Sequence, residues 1–84
     1  MKLIWSEEAW EDYLYWQDRD KKTLKKINEL IKESCRTPFA GKGKPEPLKH
    51  NLAGFWSRRI TSEHRFVYAV SDDSLLIASC RYHY

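Results

Sequence analysis

All three prolines of this 84-residue chain, and two of its three glycines, fall between Thr37 and Leu48. The run Gly41-Lys42-Gly43-Lys44-Pro45-Glu46-Pro47 can be neither helix nor central strand, because proline removes a backbone donor and glycine breaks regular structure. The fold must be assembled from the two stretches on either side of it. One core is all that this length supports, so residues 1–84 are expected to form a single domain. Hydrophobic residues make up 42% of the chain and charged residues 32%, a globular balance that argues against disorder.

The stretch before the break has helical spacing. After a short strand at Lys2–Trp5, Ser6 is a good N-cap, and Glu7 and Glu8 place carboxylates in the first turn, where the macrodipole favours them. Trp10, Tyr13, Leu14 and Trp16 mark a helix to about Asp18, with the i, i+3, i+4 part of that spacing as its buried face. Asp20 caps a second helix through Glu33, with an apolar stripe of Leu24, Ile27, Leu30 and Ile31 and five lysines on its other side. The short join predicts an antiparallel helical hairpin, stopped at Thr37-Pro38.

Beyond the break, Phe55–Thr61, Arg65–Ser71 and Ser74–Tyr82 have strand composition, with turns at Ser62-Glu63 and Asp72-Asp73. The expected architecture is α+β: a small antiparallel sheet with the two-helix hairpin on one face, in the order β-α-α-β-β-β. The other face of the sheet and the loop at 36–50 are left for function.

Charge is unevenly spread. Residues 1–33 hold seven Lys/Arg against eight Asp/Glu, whereas residues 34–84 hold eight against four. Between Arg36 and Arg65 there are seven basic residues and two acidic ones, a block that favours a polyanion, nucleic acid before acidic protein. No apolar run approaches the ~20 residues of a membrane span. With only two cysteines, Cys35 and Cys80, the expected compartment is the cytoplasm and no membrane partner is expected. The cysteines form no C-x-x-C and no histidine pair has ligand spacing, so neither a metal site nor a cofactor is expected. Lys42-Gly43-Lys44 lacks the spacing of a phosphate-binding loop, which excludes an NTPase.

A carboxylate, several cations and an imidazole remain, and these suffice for metal-free RNA cleavage. Such a reaction needs a base for the ribose 2′-OH, cations against the phosphorane charge and an acid for the leaving 5′-oxygen. Glu46 is the only carboxylate between residues 34 and 62, held between two prolines with Lys44 and Lys49 close by. Arg58 and Arg59 are adjacent in a strand and point to opposite faces, Arg59 sharing its face with Phe55 and Ser57. Arg65 opens the next strand beside His64. A two-residue turn at Asp72-Asp73 pairs Ser71 with Ser74 and sets Arg65 opposite Cys80. That register delivers Arg81-Tyr82-His83-Tyr84 to the Arg65 end of the sheet, and it raises His83 above His50 and His64 as the titrating candidate.

Lys2-Leu3-Ile4-Trp5-Ser6-Glu7-Glu8, Gly41–Lys49 and Arg81-Tyr82-His83-Tyr84 closely resemble the YoeB toxins of the RelE/ParE superfamily, and the similarity runs over the whole chain. The resemblance implies a ribosome-dependent endoribonuclease that cuts mRNA in the ribosomal A site and is restrained by a YefM-type antitoxin. It makes Glu46 the general base, Arg65 the phosphate and transition-state cation, and Tyr84 a residue that shapes the pocket. His83 is either the general acid or a residue that positions RNA. Arg59 and Lys49 assist, and with Lys44 and Arg81 they form the RNA- and ribosome-binding set. A homodimer is left open. Two other readings stay beside this one: a noncatalytic RNA- or ribosome-binding module, which would survive loss of Glu46, and a ParE-type gyrase poison, which has no need of Glu46, Arg65 and His83 together.

Overall fold

The structure is a computed structural model and describes residues 1–82. Its elements are β1 (Lys2–Trp5), α1 (Glu7–Arg19), α2 (Lys21–Arg36), β2 (Glu46–Pro47), a 3-10 turn at His50–Leu52, β3 (Trp56–Arg59), β4 (Arg65–Ser71) and β5 (Ser74–Ser79). The strands form one sheet in the order β1-β5-β4-β3-β2. From β2 to β5 every pairing is antiparallel, as expected, but β1 lies parallel to β5, so the sheet is mixed.

Ser6 accounts for the parallel edge. Its backbone N–H donates to the Ile77 carbonyl at 2.9 Å and its hydroxyl donates to the Ala78 carbonyl at 2.8 Å. The same Oγ accepts the Ala9 N–H at 2.9 Å, which caps α1. One serine therefore starts the helix and fastens it to the end of β5, so β1 must run the same way as β5. Asp20 starts α2 in the same manner, accepting from Thr23 N–H at 3.1 Å and from Thr23 Oγ1 at 2.8 Å.

The helical hairpin covers one face of the sheet. Ala9 and Trp16 of α1, and Ile27, Leu30 and Ile31 of α2, pack on Phe66, Tyr68, Leu75, Ile77 and Cys80. Each large apolar side chain in this layer contributes on the order of 1.5–3 kcal/mol by leaving water. The α2 stripe matches the expected one, with Leu24 half-buried at its edge. The α1 face is rotated from expectation: Ala9, Asp12, Tyr13 and Trp16 turn inward, while Trp10 and Leu14 remain 48% and 37% exposed. The outer aromatics pack on each other instead, Trp10 stacked on Tyr13 and Trp5 edge-on to Tyr13 at 4.9 Å.

Ser71 pairs with Ser74 as the two-residue turn requires, but the ladder slips further along. Tyr68 pairs with Ile77 and Val67 with Ser79, leaving Ala78 as the extra residue of a bulge. Arg65 is consequently not opposite Cys80. Its backbone N–H donates instead to the Tyr82 carbonyl at 3.1 Å.

Candidate active site

The segment carrying Glu46 leaves α2 at Thr37, whose N–H donates to the Glu33 carbonyl at 2.7 Å. Arg58, completely buried, holds this segment from beneath. Its Nη1 and Nη2 donate to the Lys42 and Thr37 carbonyls at 2.6 Å each, and its Nε donates to the Tyr68 hydroxyl at 3.1 Å. Tyr68 in turn donates to the Pro38 carbonyl at 2.6 Å. Gly43 is required where the segment crosses: its φ is +83°, and a Cβ there would meet Arg58 Cβ and Leu30 Cδ2 at 3.0 Å. Its carbonyl accepts the Arg59 N–H at 2.7 Å, which sets the register for β2.

Glu46 then pairs with Ser57, Ser57 with Val67, and Arg59 with Arg65. Arg58 points into the helix-covered layer, so by alternation Glu46, Ser57, Arg59 and Arg65 share the opposite face of the sheet. Arg59 and Arg65 stand directly across from each other, and Glu46 is one diagonal step from Arg59, ~7–8 Å along the sheet. Two like charges facing each other across a ladder are destabilising unless an anion comes between them. Among the described residues the ion pairs are Met1 N-terminus–Asp73 and Arg36–Glu33, so Lys44, Lys49, Glu46, Arg59 and Arg65 form none there.

Arg65 is itself 9% exposed, and its Nη1 donates to the carbonyls of Thr61, Ser62 and His64 at 2.8, 3.3 and 3.2 Å. Those contacts hold the guanidinium against the β3–β4 turn. Ser57 Oγ, between Glu46 and Val67 in the row, is buried without a hydrogen-bond partner among the described residues. Glu46 and Lys49 line a cleft of about 520 Å³ that continues to Leu52. Lys44 is exposed just before β2, with φ +51°.

The remaining expected site residues lie elsewhere. Arg81 turns towards α1: its guanidinium lies 3.5 Å from the Tyr15 ring centroid and 4.5 Å from that of Tyr82, and its Nη2 donates to the Tyr82 hydroxyl at 2.8 Å. His83 and Tyr84 lie outside the described residues. Cys80 is no candidate nucleophile, since burial, reinforced by the nearby Asp12 carboxylate, pushes its thiol up to about 12. Among the described residues no group of three or more His, Cys, Asp or Glu is placed to hold a metal ion, and no helix is long and apolar enough to cross a membrane.

Two sets of residues take roles in the structure that the sequence reading did not assign to them. Arg58 left one signal, since of two adjacent strand arginines one had to enter the core and find acceptors. Nothing in local spacing shows that Asp12, Trp16 and His64 bond to residues 80–82.

Residues 5–84 match the YoeB-like toxins of bacterial type II toxin-antitoxin systems. The chain belongs to this family. It is 81% identical to Toxin YoeB of Escherichia coli (strain K12) over 84 residues, the full length of both. It is 62% identical to Toxin YoeB of Synechocystis, covering all of this chain and 98% of that one. A YoeB/ParE toxin from Agrobacterium tumefaciens superposes with a TM-score of 0.98 at 57% identity, with both chains fully covered. The toxin in a heterotetrameric YoeB-YefM complex from Staphylococcus aureus does so at 0.93 and 54%, covering all of this chain and 98% of that one. The chain is thus a toxin of a type II toxin-antitoxin system, and its α+β architecture is that of the YoeB and RelE-like folds.

Proposed function

We propose that this YoeB-family toxin is an endoribonuclease that cuts mRNA in the ribosomal A site without a metal ion, and so stops translation. The reading is carried by the facing pair Arg59 and Arg65 with Glu46 one diagonal away, on the side of the sheet that the helices leave uncovered. Glu46 takes the proton of the ribose 2′-OH, and the freed oxygen attacks the adjacent phosphorus. Negative charge growing on the non-bridging oxygens is met by Arg65, with Arg59 beside it. The P–O5′ bond breaks as the departing oxygen receives a proton from His83, with Tyr84 shaping the pocket. The products are a 2′,3′-cyclic phosphate and a 5′-hydroxyl, and every proton moves between side chains and RNA. Lys44, Lys49 and Arg81 bind the RNA or ribosome through phosphate charge, an attraction that weakens with salt.

A YefM-type antitoxin is the proposed inhibitor, as in the Staphylococcus aureus complexes, and a YoeB dimer from the same organism supports a homodimer here. An acidic segment that folds on binding fits the uncompensated cations of the open face. The proposed compartment is the cytoplasm, where message and ribosomes are. The test is Glu46→Gln, which keeps size but removes the base. Cleavage of a translated message should fall ~10²–10⁴-fold, the usual scale of general acid–base catalysis, while ribosome binding persists. An active Glu46→Gln protein, or products ending in a 3′-hydroxyl, would remove this mechanism.

A further inference from the structure

Beyond Ser79 the chain is no longer held by its strand ladder alone. Three side chains take over. Asp12 Oδ2 accepts the Cys80 N–H at 3.0 Å, and Trp16 Nε1 donates to the Cys80 carbonyl at 2.8 Å. One face of α1 thus grips both sides of a single residue, and the fully buried Cys80 thiol rests against the Ala9 carbonyl at 3.7 Å. Two residues later, His64 Nδ1 accepts the Tyr82 N–H at 2.7 Å, which puts the ring proton on Nε2. The Tyr82 carbonyl is taken by the N–H of Arg65. The anchors also touch each other, the His64 ring standing edge-on to Trp16 at 4.8 Å and tilted against the Tyr82 ring at 5.4 Å.

Tyr82 carries a φ of +62°, a left-handed conformation unfavourable for a side chain of this size. Such strain persists only where surrounding contacts over-determine it, and here the His64 and Arg65 bonds do so at the N–H and the carbonyl of the residue. A fold needing only to end its sheet would not require it. The residue that bonds Tyr82 also directly precedes Arg65, so one short segment fixes the proposed transition-state cation and the Tyr82 backbone together.

We infer that His64, supported by Trp16 and Asp12, is a positioning residue that sets residues 80–82 relative to Arg65. This rests on the proposed role of His83 and Tyr84 in RNA cleavage. His64 has no role in the chemical steps themselves. It acts through the Tyr82 backbone.

The experiment compares His64→Leu, which removes the acceptor, with His64→Asn, whose amide oxygen can occupy the place of Nδ1. Single-turnover cleavage of a translated message is measured at saturating ribosomes, with ribosome affinity and amide exchange at Tyr82 measured in parallel. His64→Leu should lose ~10–100-fold in cleavage rate, the scale of a misplacement near 1 Å, with affinity unchanged. His64→Asn should recover most of that rate and restore protection of the Tyr82 amide. In a His83→Gln background the His64→Leu loss should largely vanish, because both changes disable the same device. Equal losses in the Leu and Asn variants, a loss confined to affinity, or full activity with an unprotected Tyr82 amide would each overturn the inference. Should His64→Leu fail to fold, Trp16→Phe keeps the packing and removes the donor to Cys80, and undiminished cleavage there would overturn it equally. A wild-type protein that cleaves nothing would instead defeat the functional reading on which it rests.

Discussion

Replacing Arg58 with methionine removes a wholly buried charge that holds three partners while leaving a side chain able to fill much of its space. The two bonds to the Lys42 and Thr37 carbonyls are charge-assisted, each contributing ~1.5–3 kcal/mol, so ~3–6 kcal/mol is lost with them. Against that loss, Met no longer carries the burial penalty of a guanidinium, which is several kcal/mol even after relaxation. The orphaned carbonyls regain water only if the loop lifts away from Leu30 and Tyr68. The net expectation is a destabilisation of ~2–3 kcal/mol, or a fall in melting temperature of roughly 10–20 °C for a domain of this size. Tyr68→Phe removes one hydroxyl from the same network and should cost about 1 kcal/mol, or ~4–8 °C. Thermal unfolding followed by circular dichroism reads both. Message cleavage measured well below the melt should also fall in Arg58→Met, since the loop that the arginine pins is the one that sets Glu46 against Ser57. A melting temperature for Arg58→Met within ~2 °C of the wild type would refute the claim that this charge holds the loop.

Deleting His83 and Tyr84 should abolish cleavage while leaving the melt nearly unchanged, because the core of β5 at Leu75 and Ile77 lies well upstream; near-normal cleavage would refute the terminal-site assignment. Leu14→Ser should cost only about 1 kcal/mol, whereas Ile27→Ala should cost ~2–5 kcal/mol, and chemical denaturation distinguishes the two faces of the hairpin. The Thr23 side-chain and backbone hydrogen bonds hold the Asp20 carboxyl below its ordinary value of 3.8. A lowered folded-state pKa gives stability that is present above 3.8 and lost as pH falls through the folded value, so Asp20→Asn should flatten the acid side of the melting profile.

What the sequence makes legible follows from how local the deciding contacts are. Ser6 and Asp20 cap helices through bonds three residues away, and both helix starts can be read directly. The Gly-Pro segment and the Ser71–Ser74 turn are equally local, and from them the alternation places Arg59 with Ser57 on the uncovered face. The inward face of α1 is not local. Trp10, Tyr13, Leu14 and Trp16 surround much of the helix, so spacing alone selects no single face. The choice is made by Asp12 and Trp16 bonding to Cys80, more than sixty residues away in sequence. The Ala78 bulge likewise arises where β5 must meet both β4 and that α1 grip, and it moves the partner of Arg65 from Cys80 to Tyr82.

The uncovered face is consequently assembled from two sides by two different buried grips. On one side Arg58 draws the Gly-Lys segment onto the sheet, so that Glu46 enters as an edge strand in fixed register. On the other, α1 and His64 hold residues 80–82 against the start of β4. Arg65 stands between them, its backbone tied to Tyr82 and its side chain to the carbonyls of the β3–β4 turn. Neither grip offers a group to RNA, yet each fixes a group that does so in the proposed reaction. The Arg65 guanidinium is held by the carbonyls of the β3–β4 turn, while its backbone stands across from Arg59. In the proposed reaction an incoming phosphate meets both cations. A partner covering this face must supply negative charge to do the same, which is why an acidic antitoxin segment should compete with RNA directly. High salt should weaken both complexes together.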